Sequence, residues 1–246
     1  MGRVFVFKLA MRRAAFTLTP MLIHRWHVLA LSSIFAITAG AAEDAGWKNL
    51  VQGETLAGWV QKGGAAKYRV EQGVIIGSTA PNTPNSFLCT TRDFTNFILE
   101  VEYKVAEGLN SGVQIRSHAY DHPTEIEWKG KTYKVKAGTV HGYQVEIDTT
   151  KRAWSGGIYE EGRRGWLNNL TNNPAAQKAF KQNEWNKYHI EAIGDSLKTS
   201  INGVPAANLQ DAQDASGFIA LQVHGVGKRT NDLEVRFRNI RIRELP

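Results

Sequence analysis

The stretch Phe97–Arg116, FILEVEYKVAEGLNSGVQIR, decides the fold. In its first nine residues Leu99, Val101, Tyr103 and Val105 alternate with Ile98, Glu100, Glu102 and Lys104. Successive side chains on a strand point to opposite faces, so this is a strand with an apolar face backed by a charged one. Gly108-Leu109-Asn110-Ser111-Gly112 has turn composition, and Val113–Arg116 reads as the returning strand.

The same texture runs outward in both directions. Tyr68–Val70 and Val74–Ile76 flank Glu71-Gln72-Gly73 as a hairpin, and Tyr143–Asp148, Tyr188–Ile193, Leu197–Ile201, Phe218–Val223 and Leu233–Arg243 are further strands. Asn202-Gly203, set between a strand and Val204-Pro205, is a tight-turn signal. Helical composition occurs at Asn173–Asn183 (NPAAQKAFKQN), with Pro174 at a first-turn position. Short strands at intervals of roughly ten residues, separated by Gly-rich turns, predict an all-β antiparallel sandwich or jelly roll with one short helix. The polar stretch His118–His141 reads as an insertion containing a hairpin around Lys129-Gly130.

Residues 1–42 have a different character. They hold Arg3, Lys8, Arg12, Arg13 and Arg25 and no acid, then an apolar run Val28–Thr38, then Ala39-Gly40-Ala41-Ala42. That order is a signal peptide, too short for a membrane span, and predicts export to the periplasm or beyond. Met21 is followed by a complete signal by itself, so residues 1–20 read as an artefact of start-codon choice. Residues 43–246 then form one domain, with no linker or internal repeat. The chain carries 30 basic and 23 acidic residues; without the five in the signal, 25 basic residues face 23 acidic ones. That near balance gives no reason to invoke nucleic acid or an anionic membrane. Cys89 is the lone cysteine, so no internal disulfide forms, and its neighbours Ser86-Phe87-Leu88 make it a small buried hydrophobe.

The chemistry concentrates in Gly142–Leu167, GYQVEIDTTKRAWSGGIYEEGRRGWL. Alternation puts Gln144, Glu146 and Asp148 on one strand face and Tyr143, Val145 and Ile147 on the other. Two residues apart, Glu146 and Asp148 lie about 6.6–6.8 Å from one another at Cα. Their carboxyl groups could then form an acid–base pair of retaining-glycosidase spacing, a divalent-ion site, or partners for arginines. By the same argument Gln114 and Arg116 share a face, as do Gln222 and His224. Trp154 and Trp166 are candidate sugar-stacking platforms. No phosphate-binding glycine loop, zinc-type His-x-x-x-His or Gly-x-Ser-x-Gly elbow occurs.

The motifs Gly108–Gly112 with Gln114-Ile115-Arg116, GYQVEID (142–148), SGGIYEEGRRGWL (155–167), NEWNKYHIEAIGD (183–195), the Ile201-Asn202-Gly203 turn, GFIALQVH (217–224) and FRNIRIREL (237–245) together resemble the 3-keto-disaccharide hydrolase family. The resemblance spans about Gly46 to Leu245. It implies a concanavalin-A-like jelly roll with a concave substrate face, acting on glycosides oxidised at carbon 3 by a separate, upstream sugar 3-dehydrogenase. A ketone at carbon 3 acidifies the hydrogen on carbon 2, so the reaction needs a base, an electrophile for the enolate and an acid for the leaving group. Glu146 or Asp148 suits the base, Arg116 or a metal held by the two acids the electrophile, and His224 or Tyr159 the acid. Asn110, Gln114, Gln144, Trp154, Arg163, Trp166 and Gln222 are the expected substrate contacts. Direct displacement by an acid pair stays open, as does a lectin-like domain that binds sugar without turning it over.

Overall fold

The strand FILEVEYKV becomes β6 (Phe97–Val105), and its alternation is borne out. Leu99, Val101, Tyr103 and Val105 are buried, while Glu100, Glu102 and Lys104 reach the outer surface. The computed structural model describes residues 45–246; the signal read at residues 1–42 lies outside them. Numbering strands in chain order, one sheet runs β15 (Val204–Gln210), β14 (Ser196–Ile201), β13 (Asn186–Ile193), β6, β17 (Glu234–Glu244), β4 (Val74–Ser78) and β3 (Lys67–Glu71), with β1 (Trp47–Asn49) also on β17. The second runs β12 (Gly165–Asn168), β11 (Ile158–Glu161), β10 (His141–Ile147), β7 (Ser111–His118), β16 (Phe218–Val223), β5 (Ser86–Thr90) and β2 (Trp59–Gly63). Every pairing is antiparallel. The fold is a jelly-roll β-sandwich.

One reading is corrected. Val113–Arg116 does not return along β6: β7 lies in the other sheet, between β10 and β16. The Ala106–Asn110 connection is an arch, not a hairpin, because Leu109 is fully buried and packs into the core at the sandwich end. The tight turns are as read. Gln72-Gly73, Lys129-Gly130 and Asn202-Gly203 all have positive φ at both residues, which suits two-residue hairpins. The middle one joins β8 (Thr124–Trp128) to β9 (Lys131–Val135), the inserted hairpin. Helix α1 is shorter than its composition implied, Pro174–Ala179. Asn173 caps it, and Phe180 is already extended at ψ 132° so that its ring can stack on Tyr103.

Between the sheets lies a single large core containing Leu99, Val113, Val145, Ile190, Leu221 and Phe237, all buried. Each such side chain contributes about 1.5–3 kcal/mol when removed from water. Tyr188 of β13 crosses this core and donates its hydroxyl hydrogen to the carbonyl of Glu146, so the first sheet fixes the height of the strand that carries the site.

Candidate active site

The register of the second sheet assembles the site. Gln144 on β10 pairs with Gln114 on β7 and with Tyr159 on β11, and Tyr159 pairs with Trp166 on β12. Glu146 pairs with Gly112, and Gly112 with Gln222 on β16. Their outward face lines a polar cavity of ≈ 330 Å³ bounded by Asn85, Asn110, Gln144, Glu146, Arg152, Tyr159, Glu161, Trp166 and His224. That volume suits a single sugar ring.

Two carboxylates face this cavity. Glu146 accepts from Asn110 Nδ2 at 2.6 Å and Gln144 Nε2 at 2.8 Å. Burial raises its pKa above the ordinary carboxylate value; the neighbouring charge of Asp148 adds to this, and the amide bonds and Arg152 oppose it. Glu161 accepts from Asn85 Nδ2 at 3.3 Å and Gln222 Nε2 at 3.5 Å. Burial raises it too, against the hydrogen bonds and His224. Tyr159 is held protonated by burial and by the charges of Glu161 and Glu146. His224 Nδ1 lies 2.8 Å from the carbonyl of Gly225, which can only accept, so Nδ1 carries the hydrogen and Nε2 is the basic nitrogen of the neutral ring.

Behind Glu146 runs a chain of hydrogen bonds. Ser117 Oγ donates to Gln114 Oε1 at 2.7 Å, Gln114 Nε2 to Gln144 Oε1 at 2.7 Å, and Gln144 Nε2 to Glu146. Every dipole in it points its positive end at the carboxylate. Gln114 is thus a buried support and not a substrate contact. Gln222 stands likewise behind Glu161, and Trp154 stands edge-on behind Trp166 with ring centroids 4.8 Å apart.

Three residues fall elsewhere than their spacing implied. Asp148 lies one residue past β10 and is fully buried. Its carboxylate is taken by Thr150 N and Oγ1, Trp154 N and Arg152 Nε, the last at 2.8 Å. Burial would raise its pKa, but these bonds outweigh burial and lower it. Asp148 therefore shapes the 149–155 loop and does not face the cavity beside Glu146. Arg116 has φ +46°, beside register shifts in both neighbouring ladders, so its side chain leaves the face of Gln114. It donates to Thr95 O at 2.8 Å and Gly194 O at 2.7 Å and is 1% exposed. Arg163 is buried against Glu160 and Asp214. Among the described residues no cluster of three or more His, Cys, Asp or Glu converges as a metal site, and Asp148's saturated oxygens do not fit the proposed ion.

Sequence reasoning passed over Glu161 and Asn85. Glu161 was legible: it sits two residues after Tyr159 on the same strand face. Arg152 takes the place read for Arg116. Asp148 holds its Nε, Trp154 and Trp166 flank the guanidinium at 4.6 and 5.1 Å, and Nη2 stands 4.0 Å from Glu146.

The sequence matches the 3-keto-alpha-glucoside-1,2-lyase-like domain over residues 46–243, nearly the whole described chain. The chain belongs to the 3-keto-alpha-glucoside-1,2-lyase-like family. Membership makes it a carbohydrate-related protein, and the match agrees with the resemblance read from the motifs. No curated protein matches it. Among solved structures it is similar to a putative glycosyl hydrolase from Parabacteroides distasonis ATCC 8503, with 19% identity and a TM-score of 0.57 over 85% of this chain and 98% of that one. A second putative glycosyl hydrolase from that organism gives 22% and 0.50 over 81% and 99%. A Bacillus subtilis protein of unknown function with a galectin-like fold gives 12% and 0.54 over 80% and 94%. At these identities the likeness is one of fold, and the family's chemistry has to be argued on the residues of this cavity. No helix among the described residues is long and apolar enough to cross a membrane.

Proposed function

We propose that this chain is an exported enzyme that cleaves glycosides oxidised at carbon 3, by eliminating the anomeric substituent and then adding water. The observation that carries the reading is two carboxyls raised by desolvation, the buried Glu146 and the half-buried Glu161, set on one polar cavity with a protonated tyrosine and an arginine. Glu146, polarised by its amide chain and beside Arg152, is the base that takes the hydrogen from carbon 2. The electron pair passes to the ketone oxygen, where the Arg152 guanidinium and the Tyr159 hydroxyl offset the developing charge. The enolate then collapses to a carbon 1–carbon 2 double bond as the anomeric oxygen departs, taking its proton from Glu161. Water adds at carbon 1 and carbon 2 is reprotonated, giving net hydrolysis. The substrate's ketone has to be supplied by a sugar 3-dehydrogenase acting first.

Trp166 and Tyr159, ring centroids 5.3 Å apart at 71°, offer the faces against which a pyranose would stack. The test is turnover of 3-keto-trehalose and a 3-keto-glucoside beside their unoxidised parents. Cleavage of the keto forms alone supports the proposal. Sugar binding without turnover of any form would leave a lectin-like domain instead.

A further inference from the structure

The outward face of the second sheet holds a second cavity, of ≈ 570 Å³, beside the polar one. Asn85 and Glu161 line both. Beyond that shared wall the chemistry changes. Pro84, Phe87, Ala137 and Val140 line the second cavity, and among the described residues bounding it Glu161 alone is ionisable. Phe87 and Val140 belong to a small apolar cluster with Cys89, Phe218 and Ala220, separate from the core between the sheets. Of the apolar lining, Phe87 and Val140 are buried and Pro84 and Ala137 are exposed, so the apolar surface that the cavity offers to water comes chiefly from the latter two. The same face carries Asn110, Gln144 and Glu146 a few strands away.

A polar hollow joined to an apolar one, with a carboxyl at the junction, matches a molecule whose polar ring is bonded to an apolar group. We infer that the second cavity receives the leaving group, and that preferred substrates carry an apolar, planar aglycone such as an aryl group in place of a second sugar. The inference rests on the polar cavity being the sugar site. It places Glu161 at the bond that breaks: the anomeric oxygen would sit between the cavities, within reach of the carboxyl that lines both.

Equilibrium binding of phenyl and methyl 3-keto-glucosides to Glu146→Gln protein tests it, because the two ligands share the sugar and differ only in what enters the second cavity. Burying one aromatic face predicts that phenyl binds about tenfold more tightly than methyl. Adding Ala137→Trp, on an exposed turn, fills the cavity; it should erase that advantage and leave methyl binding unchanged. Equal affinities, an advantage that survives Ala137→Trp, or no binding of either ligand would overturn the inference. Phenyl-selective binding by wild-type protein that turns over neither ligand would keep the cavity assignment and remove the cleavage reaction.

Discussion

A desolvated carboxyl is useful only if something poises it, and here each has its own device. Glu146 has three groups favouring its charge, Asn110, Gln144 and Arg152, set against burial, which wins. Arg152→Gln removes a cation and so makes ionisation harder. The acidic limb of kcat/KM should move to higher pH, with little change in sugar affinity, as read from pH–rate profiles of the two proteins. Glu161 has weaker support, and its raised value has a consequence for folding. A carboxyl raised in the folded state binds its proton more tightly there, so its ionised form opposes folding at pH above that value, and stability is gained as pH falls through it. Glu161→Gln should therefore cut turnover by about 10²- to 10⁴-fold while leaving Tm at neutral pH unchanged or raised. A Tm that drops with activity would make Glu161 a structural residue. Glu146 and Tyr159 could be read from alternation alone, because a regular strand obeys the period of two. Arg116 could not: its positive φ inverts its side chain, and nothing in VQIR announces a bulge.

At the scale of elements, the cavity floor depends on one strand being bare where its neighbour is crowded. A Cβ on Gly112 would lie 2.4–2.5 Å from the Gln144 side chain, and the glycine's φ would tolerate one. Gly112→Ala should thus fold, displace Gln144 from Gln114 and Glu146, and lower kcat more than it raises KM, measured in steady-state kinetics. The 149–155 loop hangs on Asp148. Its folded carboxyl is lowered, so its contribution is complete above the unfolded carboxylate value and is lost as pH falls through the folded one. Asp148→Asn should cost about 1–3 kcal/mol at neutral pH in denaturant unfolding and release Arg152. This loop explains why the acid pair was misread. Spacing fixes which face a residue starts from, but Asp148 follows the last residue of β10, where the period of two no longer applies. The Asn-Gly and Gln-Gly turns were legible because their backbone demands those residues, whereas the arch after β6 looked like a hairpin because turn composition carries no record of which sheet the next strand joins.

Across the whole molecule, a buried ionic cluster joins the two ends of the site wall. Glu160 meets Arg163 and Arg164, Asp214 meets Arg163, and Asp211 meets Arg164 at 2.8 Å and also accepts from Tyr143. It ties the β11–β12 hairpin to the segment leading into β16, and Arg164 also lies over Trp128 of the inserted hairpin. Glu160→Gln leaves two desolvated arginines short of a charge and should destabilise the protein by about 3–5 kcal/mol, seen as a fall in the denaturant midpoint. Removing the outer ion pair Lys48–Glu244 should shift it by under about 1 kcal/mol.

The first sheet is ordered by neighbours far apart in the chain: β17 is flanked by β6 and β4, and β1 pairs with it too, Trp47 opposite Arg243. β17 therefore completes pairings that three strands earlier in the chain wait for. A growing chain can form the β3–β4 and β13–β14–β15 hairpins as it emerges, but it leaves β4 and β1 without their shared partner until β17 follows. Assembly must then close contacts of the longest sequence separation in the protein, the regime in which β-proteins fold slowly. A chain shortened before Glu234 would divide the first sheet into two pieces, β15–β14–β13–β6 and β4–β3, and leave β1 with no strand to pair with.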